Sequence, residues 1–369
     1  MAERGAVRMR ILTTGTIEGI DVDPALMRFF QSVNSGFAAD TQPLRGFTKP
    51  RLHKTRGLDA GYTSAEIVTA TTEQLWARHA RLSTDHATEV RGRQVTFLGL
   101  KLELARRALQ SCSLCAWECR VDRLAGERGR CNLSGEAYVA DHFLHVAEEP
   151  PINPAYALNL QGCGLRCVAC QQYPLLTVRP DRGTPLTADL WRHLDLDGAR
   201  SLEFVGGNPD ESIAAILAFL QGVSPDFALP IVWNTHGYCS RTTLGLLNGV
   251  VDVYLTDCKY GNDRCGEQLS GVSRYWRTVR QAISLMLAQW VPVIVRVLVL
   301  PGHVRCCHLP SVRWLGDLPN RELLSVSVLS QYAPDYRILP GRGPLGHRPT
   351  EEEVTLVRRE VERLGLSPT

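Results

Sequence analysis

Lysine is scarce in this sequence. Only Lys49, Lys54, Lys101 and Lys259 stand among 41 basic residues, and the rest are arginine. Net charge is also scarce, at +3 over 369 residues. No field of one sign exists to draw nucleic acid or an anionic membrane surface. Long apolar runs are missing too. The most apolar stretch, Trp290–Leu300, is interrupted by Arg296 and is far shorter than a membrane span. Met1–Arg10 is charged and no apolar segment follows it, so no signal peptide is read there. Cysteine, by contrast, is abundant, with twelve residues. Without a secretory signal, they are expected to be metal or redox ligands in a reducing cytoplasm, not disulfides. A hydrophobic fraction of 44% and a charged fraction of 21% are those of a globular protein.

Three segments are expected. Residues 1–110 carry no chemical signature and form an N-terminal extension. Helices are predicted at Pro24–Val33, with Asp23 as N-cap, at Ser64–Arg81, with Ser64 as N-cap, and at Phe97–Gln110. Gly36–Tyr62, with Pro43 and Pro50, reads as loop. Residues 111–150 form a Cys-rich segment that ends at Pro150-Pro151. Residues 151–369 alternate short apolar strands with helical stretches. Strands are predicted at Tyr156–Leu160, Ser201–Val205, Pro230–Trp233, Val251–Leu255, Pro292–Val299 and Leu323–Leu329. Helices are predicted at Pro209–Gly222, Ser240–Asn248, Val272–Trp290 and Thr350–Leu364. Near-continuous Val/Ile/Leu strands separated by helices imply a parallel sheet buried on both faces. Six βα units are too few for a closed eight-stranded barrel. The expected fold is therefore α/β, an open six-stranded (βα)6 partial TIM barrel.

Directly after the first of these strands comes Gly162-Cys163-Gly164-Leu165-Arg166-Cys167-Val168-Ala169-Cys170, a C-x3-C-x2-C run. Four thiolates would close a [4Fe–4S] cluster, whereas three leave one iron open to a substrate or cofactor. The competing reading is three buried structural thiols or a zinc knuckle, but no histidine follows within twenty residues to complete a zinc site.

Ligands of parallel α/β sheets bind beyond the carboxyl ends of the strands. Here the second strand ends in Gly206-Gly207-Asn208-Pro209, the third in Asn234-Thr235-His236-Gly237 and the fourth in Asp257-Cys258-Lys259-Tyr260. The fifth carries Arg296 and ends in Pro301-Gly302-His303, and the sixth ends in Gln331-Tyr332. Each strand delivers a polar or glycine-rich tip to one rim.

The cysteine run resembles the signature of the radical S-adenosylmethionine (SAM) superfamily. The stretch from Leu158 to Pro334 resembles its pyruvate formate-lyase-activating-enzyme-like branch. The resemblance implies that Cys163, Cys167 and Cys170 ligate a [4Fe–4S] cluster whose open iron chelates SAM. One electron then yields methionine and a 5′-deoxyadenosyl radical that abstracts hydrogen from a substrate. It also implies that Gly206 and Gly207 approach the SAM amino group through backbone, and that Asn234 and Thr235 line the ribose or methionine. Asp257, Lys259 and Arg296 would serve the carboxylate; the alternative for Lys259 and Arg296 is a structural ion pair with Asp257. A flavodoxin or ferredoxin would donate the electron. The sequence departs from the branch at Ala169, where an aromatic is frequent, and at Cys258, where an apolar residue is usual.

Cys112, Cys115, Cys119 and Cys131 form a second, four-thiol set. It suits an auxiliary [4Fe–4S] cluster, zinc, or metal-free thiols. Its loop resembles that of the same branch, with Trp117-Glu118 in place of Pro-Arg. Cys258, Cys265, Cys306 and Cys307 lie near strand tips and are candidate hydrogen donors to a substrate radical, against the plain alternative of buried structural thiols. Two enzymatic roles follow from the resemblance. One is tailoring of a metabolite or natural-product intermediate, such as a sugar, by epimerisation, dehydration or rearrangement. The other is activation of a glycyl-radical enzyme. A non-catalytic iron–sulfur protein is the third reading.

Overall fold

The computed structural model describes residues 8–9, 20–21, 47–84 and 94–368. The predicted helix at Pro24–Val33 lies outside them. A mixed α/β architecture is built on a nine-stranded sheet. Six of its strands are β1 (Ala155–Leu160), β2 (Ser201–Gly206), β3 (Ile231–Thr235), β4 (Val253–Asp257), β5 (Val293–Leu298) and β6 (Leu324–Leu329). They are parallel and follow chain order across the sheet. All six carboxyl ends therefore reach one rim. Most of their apolar residues are buried, and every residue of β1 is, because helices cover the outer face.

The sheet extends beyond the six predicted strands. Tyr138–His145 pairs antiparallel with β1, Thr184–Pro185 pairs with that strand in turn, and Ser367–Pro368 adds to β6. The end of the Cys-rich segment thus belongs to the main sheet. Tyr138–His145 carries Asp141 and four histidine or aromatic residues, and this pattern hid it from an apolar-run reading.

The segment read as loop contains a helix, Arg51–Gly57, and a strand, Asp59–Thr63. Pro50 stands at the N-cap position of the helix instead of breaking it. The helix predicted at Ser64–Arg81 is two helices, Ser64–Thr69 and Thr72–Thr84. Thr63 is the cap, not Ser64: it forms a reciprocal capping box with Glu66. Phe97–Gln110 forms as predicted.

These N-terminal helices share one apolar core with the sheet, from Leu52 to Leu366. They dock at the end opposite the rim. The Arg51 amide donates to Asp252 Oδ1 at 2.9 Å, and Asp252 Oδ2 accepts the amide of Ile231, the first residue of β3, at 2.8 Å. No helix of the described residues is long and apolar enough to cross a membrane.

Candidate functional site

β1 ends at Leu160 and the chain turns at Gly162, whose φ of 84° is left-handed. The cysteine loop that follows is pinned from three sides. Gly164 N donates to Glu211 Oε1 at 2.8 Å, and Trp117 Nε1 donates to Gly164 O at 2.9 Å. Arg166 N and Val168 N donate to Ser270 O and Leu269 O, each at 2.9 Å. Cys167 Sγ lies 3.0 Å from Ser270 Oγ. The loop therefore presents fixed sulfurs.

Gly206 and Gly207 are required at the tip of β2 by packing alone. A Cβ on Gly206 would collide with the Leu160 amide, and one on Gly207 with the carbonyl of Gly162. The two glycines let the β2 tip lie against the turn that carries the cysteines. Asn208 then fixes the next tip: its Oδ1 accepts from His236 N at 3.1 Å and lies 3.1 Å from Thr235 Oγ1. Its Nδ2 donates to Glu211 Oε2 at 2.5 Å. Glu211 is buried, which works against its charge. The nearby His236 ring, 3.8 Å away, and the Asn208 amide hold its carboxyl below the ordinary value.

One pocket gathers most of the predicted residues. Cys163, Cys167 and Cys170 line it together with Gly206, Gly207, Asn234, Thr235, Asp257 and Lys259. Its opposite wall is apolar: Leu298, Leu300, Tyr332 and Leu345. Lys259 Nζ is paired with Asp257. Burial opposes the lysine's charge, but Asp257 and the Cys167 and Cys170 sulfurs outweigh it and raise its pKa. Burial pushes the Cys170 thiol up to about 11.

Arg296 is placed differently from its expected role. Its guanidinium is held by Glu148 and by Glu149, with Nε 2.7 Å from Glu149 Oε1, and it does not line the pocket. These carboxylates lie just before β1, and pairing with them satisfies an arginine inside the sheet. Glu203 of β2 belongs to the same buried group. It accepts from Asn234 Nδ2 at 2.7 Å, and burial, with Glu148, pushes it up to about 8.

The four hydrogen-donor candidates also fall elsewhere. Among the described residues, the thiols lining the pocket are those of the triad. Cys258 is fully buried, because alternation along the chain sends it away from Asp257 and Lys259. Cys265, Cys306 and Cys307 gather around His303.

In the second cysteine set, Cys112, Cys115 and Cys131 are buried and Cys119 is half-buried. Arg123 stands beside it, with Nη1 3.8 Å from Cys112 Sγ and 2.8 Å from Glu211 O. Burial pushes Cys131 up to about 12, while Arg123 pulls it down. The segment rests on the triad loop through Trp117 and through Arg166, which donates to Arg130 O.

Thiolates around one zinc ion stand about 3.8 Å apart. Neither the triad nor the Cys112 set is among the groups whose ligand atoms lie within 4.8 Å of one another. Three soft donors, more widely spaced and facing a pocket with a paired lysine, fit a cluster with one iron left open.

Sequence reading missed Glu211, Trp117 and Glu203 as parts of this site. Glu203 left a signal: a carboxylate inside a strand buried on both faces requires a partner. Glu211 left none, since it is remote from the cysteines in sequence.

A parallel βα sheet whose first strand hands a C-x3-C-x2-C loop to a glycine-backed pocket agrees with the architecture that the resemblance implied. No family model matches the chain. The chain belongs to the family of the uncharacterized protein MJ0674 of Methanocaldococcus jannaschii. It is 33% identical to that protein over 278 residues, covering 73% of this chain and 79% of the relative. Solved structures similar to it include a domain of pyruvate-formate lyase-activating enzyme from Bacteroides vulgatus, at 15% identity and a TM-score of 0.34, covering 46% of this chain and 97% of that one. Streptococcus suis SuiB bound to S-adenosylmethionine matches at 13% identity and a TM-score of 0.38, covering 56% and 47%. A spore photoproduct lyase mutant with bound AdoMet and dinucleoside spore photoproduct matches at 13% and 0.38, covering 81% and 92%.

Proposed function

We propose that this protein is a radical SAM enzyme acting on a metabolite-sized substrate. The observation that carries the reading is the convergence of Cys163, Cys167 and Cys170 with Gly206, Gly207, Asp257 and Lys259 on one pocket. The three thiols would hold a [4Fe–4S] cluster, which supplies the electron that cleaves SAM to methionine and a hydrogen-abstracting 5′-deoxyadenosyl radical. Lys259, kept charged by Asp257, would bind the SAM carboxylate. The Gly206-Gly207 backbone would face its amino group, and Asn234 and Thr235 would offer hydrogen bonds to the ribose. Leu298, Leu300 and Tyr332 would exclude water from the reacting end. A flavodoxin- or ferredoxin-type donor would supply the electron.

A substrate of metabolite size is supported by the chain beyond β6. Arg337 N donates to Val168 O at 3.0 Å, and Tyr336 stacks on Tyr173 with ring centres 4.8 Å apart. Leu345, held through its carbonyl by Tyr332 at 2.7 Å, lines the pocket. This segment narrows the path that a glycyl-radical partner's polypeptide would need. The wide spacing of the Cys112 set favours an auxiliary cluster over a single zinc ion. The test is anaerobic reconstitution, reduction and incubation with SAM. More than one equivalent of 5′-deoxyadenosine per chain supports the reading, and intact SAM in a protein carrying its iron contradicts it.

A further inference from the structure

A different cysteine group has the spacing that the triad lacks. Cys265 lies in the helix Asp263–Ser270, after β4. His303, Cys306 and Cys307 lie in the loop after β5, at the turn Val304–His308. The ligand atoms of these four residues all lie within 4.8 Å of one another. His303 Nδ1 is 3.7 Å from Cys265 Sγ, 3.5 Å from Cys306 Sγ and 3.9 Å from Cys307 Sγ. The two vicinal sulfurs are 3.8 Å apart. A tetrahedral zinc, with bonds of about 2.3 Å to sulfur and about 2.0 Å to nitrogen, sets its ligands about 3.8 Å and about 3.5 Å apart.

We propose that Cys265, His303, Cys306 and Cys307 form a tetrahedral Cys3His site for Zn²⁺. The local structure is built for convergence. Val304–His308 is a π turn, in which the amides of Cys307 and His308 both reach the His303 carbonyl, at 2.9 and 3.3 Å. Such turns are rare and frequent at functional sites. The wider turn brings residues 303, 306 and 307 to one side. Asn262 joins the two loops. Its Oδ1 caps Cys265 N at 2.8 Å, and its Nδ2 donates to Cys306 O at 2.8 Å and lies 3.5 Å from Cys307 Sγ. A hydrogen bond from a neighbouring side chain to a ligand sulfur orients that ligand. Gly261 is needed because a Cβ there would collide with the Cys307 carbonyl. His308 stands outside this group, and its Nε2 accepts the Leu300 amide at 2.9 Å.

Binding replaces three S–H protons, released to solvent, with three Zn–S bonds and involves no redox step. The zinc thiolates then have no S–H hydrogen to give, so these cysteines leave the pool of hydrogen donors. The ion would tie the β4 loop to the β5 loop behind Tyr260. Tyr260 lines the pocket and lies 2.8 Å from Ser270 Oγ, the same hydroxyl that meets Cys167. The site would thus brace the wall against which the cysteine loop is fastened, and it needs nothing from the pocket's own cofactors.

The first test is zinc and iron analysis of the full chain purified without chelator. Cys306→Ser and His303→Ala should each lose about one zinc per chain at unchanged iron content. The second test needs no variant. Cys306 is exposed, yet zinc should protect it from iodoacetamide, with peptide mapping showing its alkylation only after chelation. Equal zinc in wild type and both variants would overturn the proposal. So would immediate alkylation of Cys306 in the untreated protein, or a disulfide among Cys265, Cys306 and Cys307 in protein isolated without oxidant.

Discussion

Glu211 Oε1 accepts the Gly164 amide at 2.8 Å. This bond ties the segment after β2 to the middle of the cysteine loop. The other Glu211 oxygen holds Asn208, so one buried carboxylate sets the spacing between the β2 tip and the cluster ligands. Glu211→Ala leaves both donors without an acceptor. The expected loss is about 1–3 kcal/mol in chemical denaturation, together with poor iron retention after reconstitution. Wild-type stability and iron content in this variant would show that the bond is incidental.

Gly207→Ala tests the packing of the two tips. The obstacle is the Gly162 carbonyl, which is backbone and cannot swing aside. Strain of about 1–3 kcal/mol is expected, measurable by thermal or urea unfolding. SAM affinity should fall as well, because the turn before Cys163 must move. Unchanged unfolding would mean that the turn yields more readily than the geometry indicates.

The buried carboxylate Glu203 makes stability depend on pH. Its pKa is raised from an ordinary 4.5 to about 8. Between those values the folded chain holds a proton that the unfolded chain has released. Stability from this group is full below the unfolded value and falls as pH rises through the window. Glu203→Gln keeps an acceptor for Asn234 and removes the titration. The variant should gain on wild type steadily as urea denaturation is repeated from about pH 5 to about pH 8. A constant difference would contradict the assignment.

The Cys112 set is tested by metal analysis in a chain lacking the three triad thiols and carrying Cys306→Ser. About four irons per chain are expected at Cys112, Cys115, Cys119 and Cys131 if they hold an auxiliary cluster. One zinc would identify a structural ion site there, and no metal would leave them as thiols.

The parallel strands were legible because each is a short, mostly apolar run with helical stretches between. Their tips were legible because parallel strands must end at one rim. The helix Asp263–Ser270 was not, since its exposed face is polar and it carries little apolar signal. Arg296 was misassigned for a related reason. Its place on β5 was read correctly, but its partners, Glu148 and Glu149, precede β1 and no local pattern links them. The Cys265–His303 convergence is equally invisible in the chain, since it depends on two loops that meet only after β4 and β5 pair.

The proposed chemistry depends on Cys163, Cys167 and Cys170. It is tested most directly by measuring 5′-deoxyadenosine formed from SAM by reduced, reconstituted protein, in wild type and in three single Cys-to-Ala variants. Wild type should produce it over many hours, and Cys163→Ala, Cys167→Ala and Cys170→Ala should each reduce it to background, since no other thiol among the described residues lines the pocket. Undiminished 5′-deoxyadenosine from any of the three variants would contradict the account.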